Sequence, residues 1–135
     1  MELTLKQAQA AVEAAHQKSL DLGLKMNIAV VDAGANLLAF ARMEGAWLGS
    51  IDIAIKKAKT ARYFDMATAD LGKMAQPGEP LYGIEHSNHG LISFGGGLPI
   101  EDQDGNIIGA IGSSGSTVDN DVKVAKACKK AVENK

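Results

Sequence analysis

Three histidines, one cysteine and a scatter of carboxylates are the side chains with chemistry to offer in this sequence. His86 and His89, in EHSNHG, stand three residues apart with Glu85 beside them. On one helical turn that spacing aims two imidazoles at a metal, but a typical site draws a third or fourth ligand from elsewhere. The run is built from turn formers, which predicts a solvated loop that separates the rings. His16 falls at the edge of the apolar face of a predicted helix. Such a histidine packs there in most proteins, or becomes an axial ligand when a flat cofactor docks on the helix. Asp32, Arg42 and Glu44 flank a predicted hairpin. Asp32 at a strand end either orients a ligand or begins the following turn. Arg42 shares the strand face of Phe40, two residues before it, and is paired with an acidic neighbour or waits for a carboxylate. Met43 is soft enough to touch a large ligand, although core filling is the commoner use. Cys128 has Asp121, Val124 and Val132 at helical spacing and reads as an inert core thiol.

The glycines raise a second question. FGGGLPI covers residues 94–100, and GAIGSSGS covers 109–116. Neither the nucleotide-binding G-x-x-x-x-G-K-[ST] pattern nor a G-x-G-x-x-G between strand and helix is present. GSSGS precedes the last predicted helix, where free N–H groups can bind an anion; capping by Ser116 or Thr117 explains the same residues. Three successive glycines cost conformational entropy in a strand. They point to a bulge or to a surface that something approaches closely.

The elements that must carry these residues follow from periodicity and punctuation. Residues 4–22 predict a helix with Thr4 and Gln7 as a capping box, with Leu5, Ala8, Val12, Ala15 and Ser19 on its apolar face and Gly23 beyond its end. NIAVVD (27–32), the turn AGAN and LLAFARM (37–43) predict a hairpin. Residues 47–64 predict a helix whose apolar stripe is Leu48, Ile51, Ile55, Ala58 and Arg62, with Lys56, Lys57 and Lys59 mainly on the other side. A short helix over 68–74 ends before QPGEP, and 82–90 shows no period. Strands are expected at 91–94, 98–101 and 107–111, the last two joined by the turn at Asp104-Gly105-Asn106. A final helix follows Thr117, with Asp119 and Asp121 near its positive end and Lys126, Lys129 and Lys130 near its negative end. Hairpins dominate, so the fold class is α+β with helices covering a mainly antiparallel sheet.

The composition bounds the function. The chain has 135 residues, the size of one domain over 1–135, with a formal charge of −2 and dispersed basic residues. A nucleic-acid surface needs a basic stripe, so nucleic acid is not the expected partner. The single cysteine excludes an intramolecular disulfide and a cysteine-based zinc site. MELTLKQAQAAVEAA carries Glu2 and Glu13 and does not read as a signal peptide. No apolar run approaches the roughly 18 residues of a membrane span, so the expectation is a cytoplasmic protein.

NIAVVDAGANLLAFARMEGAW, KKAKTA (56–61), GGGLPI, DGNIIGAIGSSGS and an aspartate-led last helix resemble, as an ordered set, the GlcG/HbpS-like family. That family is also called the haem-degrading or DUF336 domain, and the resemblance covers roughly Leu3 to Ala131. It implies a profilin-like α/β/α arrangement with a five-stranded antiparallel sheet, and homo-oligomers from dimers to octamers. Some members bind haem, others accompany glycolate or diol metabolism, and one forms the C-terminal part of a cobalamin adenosyltransferase. By position, the implied ligand pocket is lined by Asp32, Arg42, Thr60, Gly95, Gly96, Gly97, Ser113, Ser114 and Gly115, with His16 as the nitrogen that could ligate haem iron. This chain departs from the haem-sensing branch in lacking a visible secretion signal and an E-x-x-E iron motif. Two functions follow as expectations. One is an oligomeric intracellular protein that binds haem or a related tetrapyrrole. The other is an enzyme or accessory protein for a small carboxylate or hydroxy acid, with Arg42 as clamp and Asp32 as base. In either case the glycines are expected to serve close approach, at a subunit contact or along a pocket wall, with GGGLPI and IIGAIG packing flat between protomers.

Overall fold

The computed structural model describes residues 2–133. Helix α1 (Leu5–Asp21) starts where expected, because Thr4 Oγ1 accepts the Gln7 N–H while the Gln7 side chain accepts the Thr4 N–H. Its buried stripe is Ala8, Ala11, Ala15 and Ser19, and Leu5 points outward. Small residues let α1 lie close against the last helix, α4 (Val118–Glu133), whose Val124, Ala125, Cys128 and Val132 fill the same cluster.

The sheet has four strands: β1 (Asn27–Asp32), β2 (Leu37–Arg42), β3 (Gly97–Glu101) and β4 (Ile107–Ser114). Their order is β2-β1-β4-β3, and every neighbouring pair is antiparallel. Inner strands β1 and β4 are buried on both faces, which is why NIAVVD and IIGAIG read as continuous rather than alternating runs. Ile28, Val30 and Ile111 face α1 and α4. Ala29, Val31 and Ala110 face α2 (Gly49–Phe64). The architecture is therefore three layers: α1 and α4, the sheet, then α2 with the short α3 (Thr68–Met74).

Both hairpin turns are built alike. Asp32 Oδ1 accepts the N–H groups of Gly34 and Asn36, and Asp102 Oδ1 accepts those of Asp104 and Asn106, each at 2.9 Å. An aspartate that holds its own turn in this way substitutes for backbone hydrogen bonding.

Four strands, not the five expected from the resemblance, are formed. Among the described residues Leu91–Phe94 forms no strand of the sheet. The Leu91 N–H goes to the Glu85 carbonyl and the Ile92 N–H to Thr60 Oγ1, so its hydrogen bonds leave the ladder. A second correction concerns α2. Its period is helical as predicted, but its buried face is Ser50, Ala54, Lys57, Ala58, Thr60 and Ala61. Leu48 is 76% exposed. The helix is rotated toward its small residues because only those allow it to sit on glycine-rich β4, and Lys57 is carried inside.

Candidate functional site

Lys57 is wholly buried, and it organises the polar centre of the molecule. Its Nζ donates to Asp121 Oδ2 and to the Ser113 carbonyl, each at 2.9 Å. The Phe94 ring covers the same nitrogen, with its centroid 4.9 Å away. Asp121 Oδ1 accepts the Ser116 N–H at 3.0 Å, and Ser113 Oγ donates to the Asp121 carbonyl at 2.6 Å. Burial pushes the Lys57 amine below its ordinary range and the Asp121 carboxyl above its own; their mutual attraction opposes both shifts. At hydrogen-bonding distance, with further polar partners on each group, the pair is held charged. This is a built structural centre with its amine already committed.

The expected glycines and serines converge on that centre. A Cβ on Gly96, at φ +126°, would lie 2.5 Å from Lys57 Nζ, and one on Gly97 would lie 2.5 Å from the Lys57 carbonyl. A Cβ on Gly95 would lie 2.6 Å from Val122. Close approach is thus what these glycines serve, but between elements of one chain. β4 is an inner strand and the three glycines are buried within the chain, so the faces of GGGLPI and IIGAIG that the glycines line are taken up by the chain itself. Thr60 is buried and accepts the Ile92 N–H, tying the 91–94 segment to α2. Ser114 is buried opposite Asn27.

An open cleft of about 510 Å³ lies next to this centre, lined by Gly23, Leu24, Lys25, Gly45, Trp47, Gly115, Ser116 and Thr117. Ser116 links the two, lining the cleft and donating its N–H to Asp121. Thr117 caps α4 by accepting the Asn120 N–H, as predicted. Asn27 Nδ2 donates to the Trp47 carbonyl, while Asn27 Oδ1 is buried with no partner among the described residues.

Asp32 and Arg42 do not share a site. Arg42 lies opposite Asn27 at one end of β1, and Asp32 closes the other end. Five residues of strand separate their levels, about 17 Å at ~3.4 Å per residue. Asp32 is occupied in its turn, and the Asn36 N–H, with further bonds from the Asn36 side chain and Gly34, holds its carboxyl below the ordinary range. Its contribution to stability is therefore present above the unfolded value, about 3.9, and is lost as pH falls through the lower folded value. Asp32→Ala is expected to melt below wild type at neutral pH, with the gap in Tm closing as the pH of the melting series is lowered past about 4.

His16 is half-exposed on α1, its Nδ1 3.9 Å from Glu13 Oε1. Val12 and Leu20, one turn away on either side, are incompletely buried. His86 ends a short 3-10 turn (Ile84–His86), and His89 adopts φ +59°; both are exposed. Cys128 is fully buried, which pushes its thiol well above the ordinary range.

Sequence reasoning put Lys57 on the polar side of α2, and it gave Asp121 a helix-dipole role and a place beside Cys128 without pairing the two. The signal was present in both helices. Lys57 shares the 54, 57, 58, 61 stripe with three alanines, and Asp121 shares the stripe of Val124, Cys128 and Val132.

An α+β domain with an antiparallel four-stranded sheet between helical layers, closed over a buried lysine–aspartate pair, defines the structural class. The family model described as haem degrading protein HbpS-like matches residues 3–130, and the chain belongs to that family. A 15.0 kDa protein encoded between dhaT and dhaS in Citrobacter freundii is 38% identical over 125 residues, covering 92% of this chain and 87% of the relative. The crystal structure of Klebsiella pneumoniae ORFY superposes with a TM-score of 0.94 at 34% identity, covering 98% of this chain and 92% of that one. The PduOC:heme complex superposes with a TM-score of 0.92 at 33% identity, covering 97% and 95%. Among the described residues no helix is long and apolar enough to cross a membrane.

Proposed function

We propose that this protein is a homo-oligomeric tetrapyrrole-binding protein that takes haem on α1, with His16 as axial ligand. The observation that carries the reading is His16 itself: a half-exposed imidazole, with Glu13 near one nitrogen and incompletely buried Val12 and Leu20 on either side. These residues fit the group, since they supply a nitrogen donor and an apolar floor. His16 does not line the cleft described above; on this reading one chain offers a surface and a second copy supplies the opposing wall. Support also comes from the relative crystallised as a heme complex and from the family description. When bound, the iron supplies the redox and ligand-binding chemistry; the protein's own part is to ligate it and to exclude water from its face.

The small-acid reading places Arg42 and Asp32 on one substrate; within one chain they stand at opposite ends of the hairpin, which weighs toward the tetrapyrrole reading.

Titration of the protein with haem is expected to give a saturating, near-stoichiometric, shifted Soret band. His16→Ala is expected to abolish the shift while leaving the far-ultraviolet dichroism unchanged. An unsaturated, featureless response from the wild type would overturn the proposal. A shift that survives in the variant would remove His16 from it.

A further inference from the structure

The two edges of the sheet are treated differently. In β3 the Ser113 N–H bonds to the Gly96 carbonyl, so by antiparallel alternation Gly97, Pro99 and Glu101 turn their backbone groups outward. Each of these residues has an outward group blocked. The Gly97 N–H donates to Thr68 Oγ1 at 2.9 Å, and Pro99 has no N–H. The Pro99 carbonyl accepts Lys129 Nζ at 2.6 Å, and the Glu101 N–H donates to Glu133 at 2.8 Å. Proline and charged side chains are how proteins prevent an edge strand from pairing.

β2 carries one exposed charge, Arg42, but leaves its outward backbone groups open among the described residues. The Met43 N–H bonds to the Met26 carbonyl, so Ala41 and Ala39 face β1, and Phe40 and Arg42 turn their N–H and C=O groups outward. No described residue takes those groups. A bulge opposite Val30 and Val31 ends the regular stretch at Leu38. Phe40 is only partly buried, and Arg42 is exposed with no ion-pair partner among the described residues. On the same side, α2 presents Leu48 outward and leaves Ile51 and Ile55 incompletely covered.

We propose that β2 is the self-association edge: two copies pair antiparallel about a two-fold axis at Ala41, joining two four-stranded sheets into one. A second copy fits this edge because the pairing is self-complementary. Phe40 falls opposite the partner's Arg42 in a hydrogen-bonded pair, with Cα atoms about 5.5 Å apart. Both outward backbone pairs are thereby satisfied, and the guanidinium lies within cation–π reach of the ring, about 6 Å. Ala41, among the smallest side chains, meets its own copy on the axis, and no like charges face each other. The flanks of the two α2 helices extend the contact. The inference rests on the homo-oligomeric part of the proposed function, but its readout is mass, so a failed haem titration leaves it standing.

The test places like charges on the axis. Wild type is expected to sediment as an even-numbered assembly at tens of micromolar. Ala41→Glu and Ala41→Lys are each expected to lower that mass at least two-fold, and an equimolar mixture of the two to restore it. A monomeric wild type, variants of unchanged mass, or variants that stay apart when mixed would each overturn the proposal. Should either variant lose its dichroism, amide exchange on the wild type decides. Phe40 and Arg42 N–H groups that exchange slowly at high concentration and fast on dilution support the pairing; fast exchange throughout sinks it.

Discussion

Lys57→Met is expected to lower the free energy of unfolding by about 3–5 kcal/mol, because removing one partner leaves a buried charge uncompensated. Asp121 is 3% exposed, and among the described residues no other cation lies at its carboxylate. For a chain of this length the loss corresponds to a fall in Tm of roughly 10 °C or more. The pH dependence separates this cause from a simple loss of packing. Burial already pushes the Asp121 carboxyl upward, and without Lys57 nothing opposes that push. A raised folded value makes the protonated form the stable partner of the fold. The deficit against wild type is therefore smallest below about pH 4 and grows as pH rises toward 7. Adding Asp121→Asn to Lys57→Met is expected to recover most of the loss, since the amide is neutral and still accepts the Ser116 N–H. Guanidinium melts of the wild type, the two single variants and the double variant measure this directly. A double variant as unstable as the sum of the singles would show that the pair is not coupled.

How much of this was legible in the sequence depends on what each residue type advertises. The capping box at Thr4 and Gln7, the Thr117 cap and both hairpin turns follow from local hydrogen bonding and stand where the sequence places them, although the second turn is held by Asp102 and not by the Asp104 of the sequence signal. The layered α+β arrangement was legible because the hairpins and helices punctuate themselves. The strand expected at Leu91–Phe94 was not excluded by its residues; it fails because Thr60 and Glu85 take its N–H groups, a tertiary event with no local sign. The α2 stripe was misjudged by weighting size. Leu48, Ile51 and Ile55 are larger than Ala54, Ala58 and Ala61, yet the alanines are buried because the sheet surface beneath them is glycine. Lys57 followed them inward, and a lysine on an alanine stripe was readable as a solvated face until Asp121 was placed opposite. Asp32 and Arg42 looked like neighbours because both flank one hairpin. Only the register shows that they lie at opposite ends of it.

Gly112→Ala should be as damaging as the loss of Lys57, although it adds a single methyl group. A Cβ at Gly112 would lie 2.1 Å from the Ala54 carbonyl oxygen, 2.7 Å from the Ala58 nitrogen and 3.0 Å from Lys57 Cβ. The first two are backbone atoms of α2, so relief requires moving the helix rather than a rotamer. Overpacking of a rigid site costs about 1–3 kcal/mol and occasionally more, and the upper end is expected here, read as a Tm loss comparable to that of Lys57→Met. Gly49→Ala is the control: its Cβ would meet nothing within 4 Å, and its backbone is helical, so it should be neutral or slightly stabilising. If Gly112→Ala melts with the control, α2 is not held as close to the sheet as described. The two large predictions are also linked. Gly97 and Gly112 face each other on β3 and β4 and make the shallow groove in which α2 rests. Filling the groove lifts the helix that carries Lys57, which lengthens its 2.9 Å bonds to Asp121 and Ser113. Gly112→Ala combined with Lys57→Met should therefore cost less than the sum of the two alone, since the first substitution already weakens the contact that the second removes.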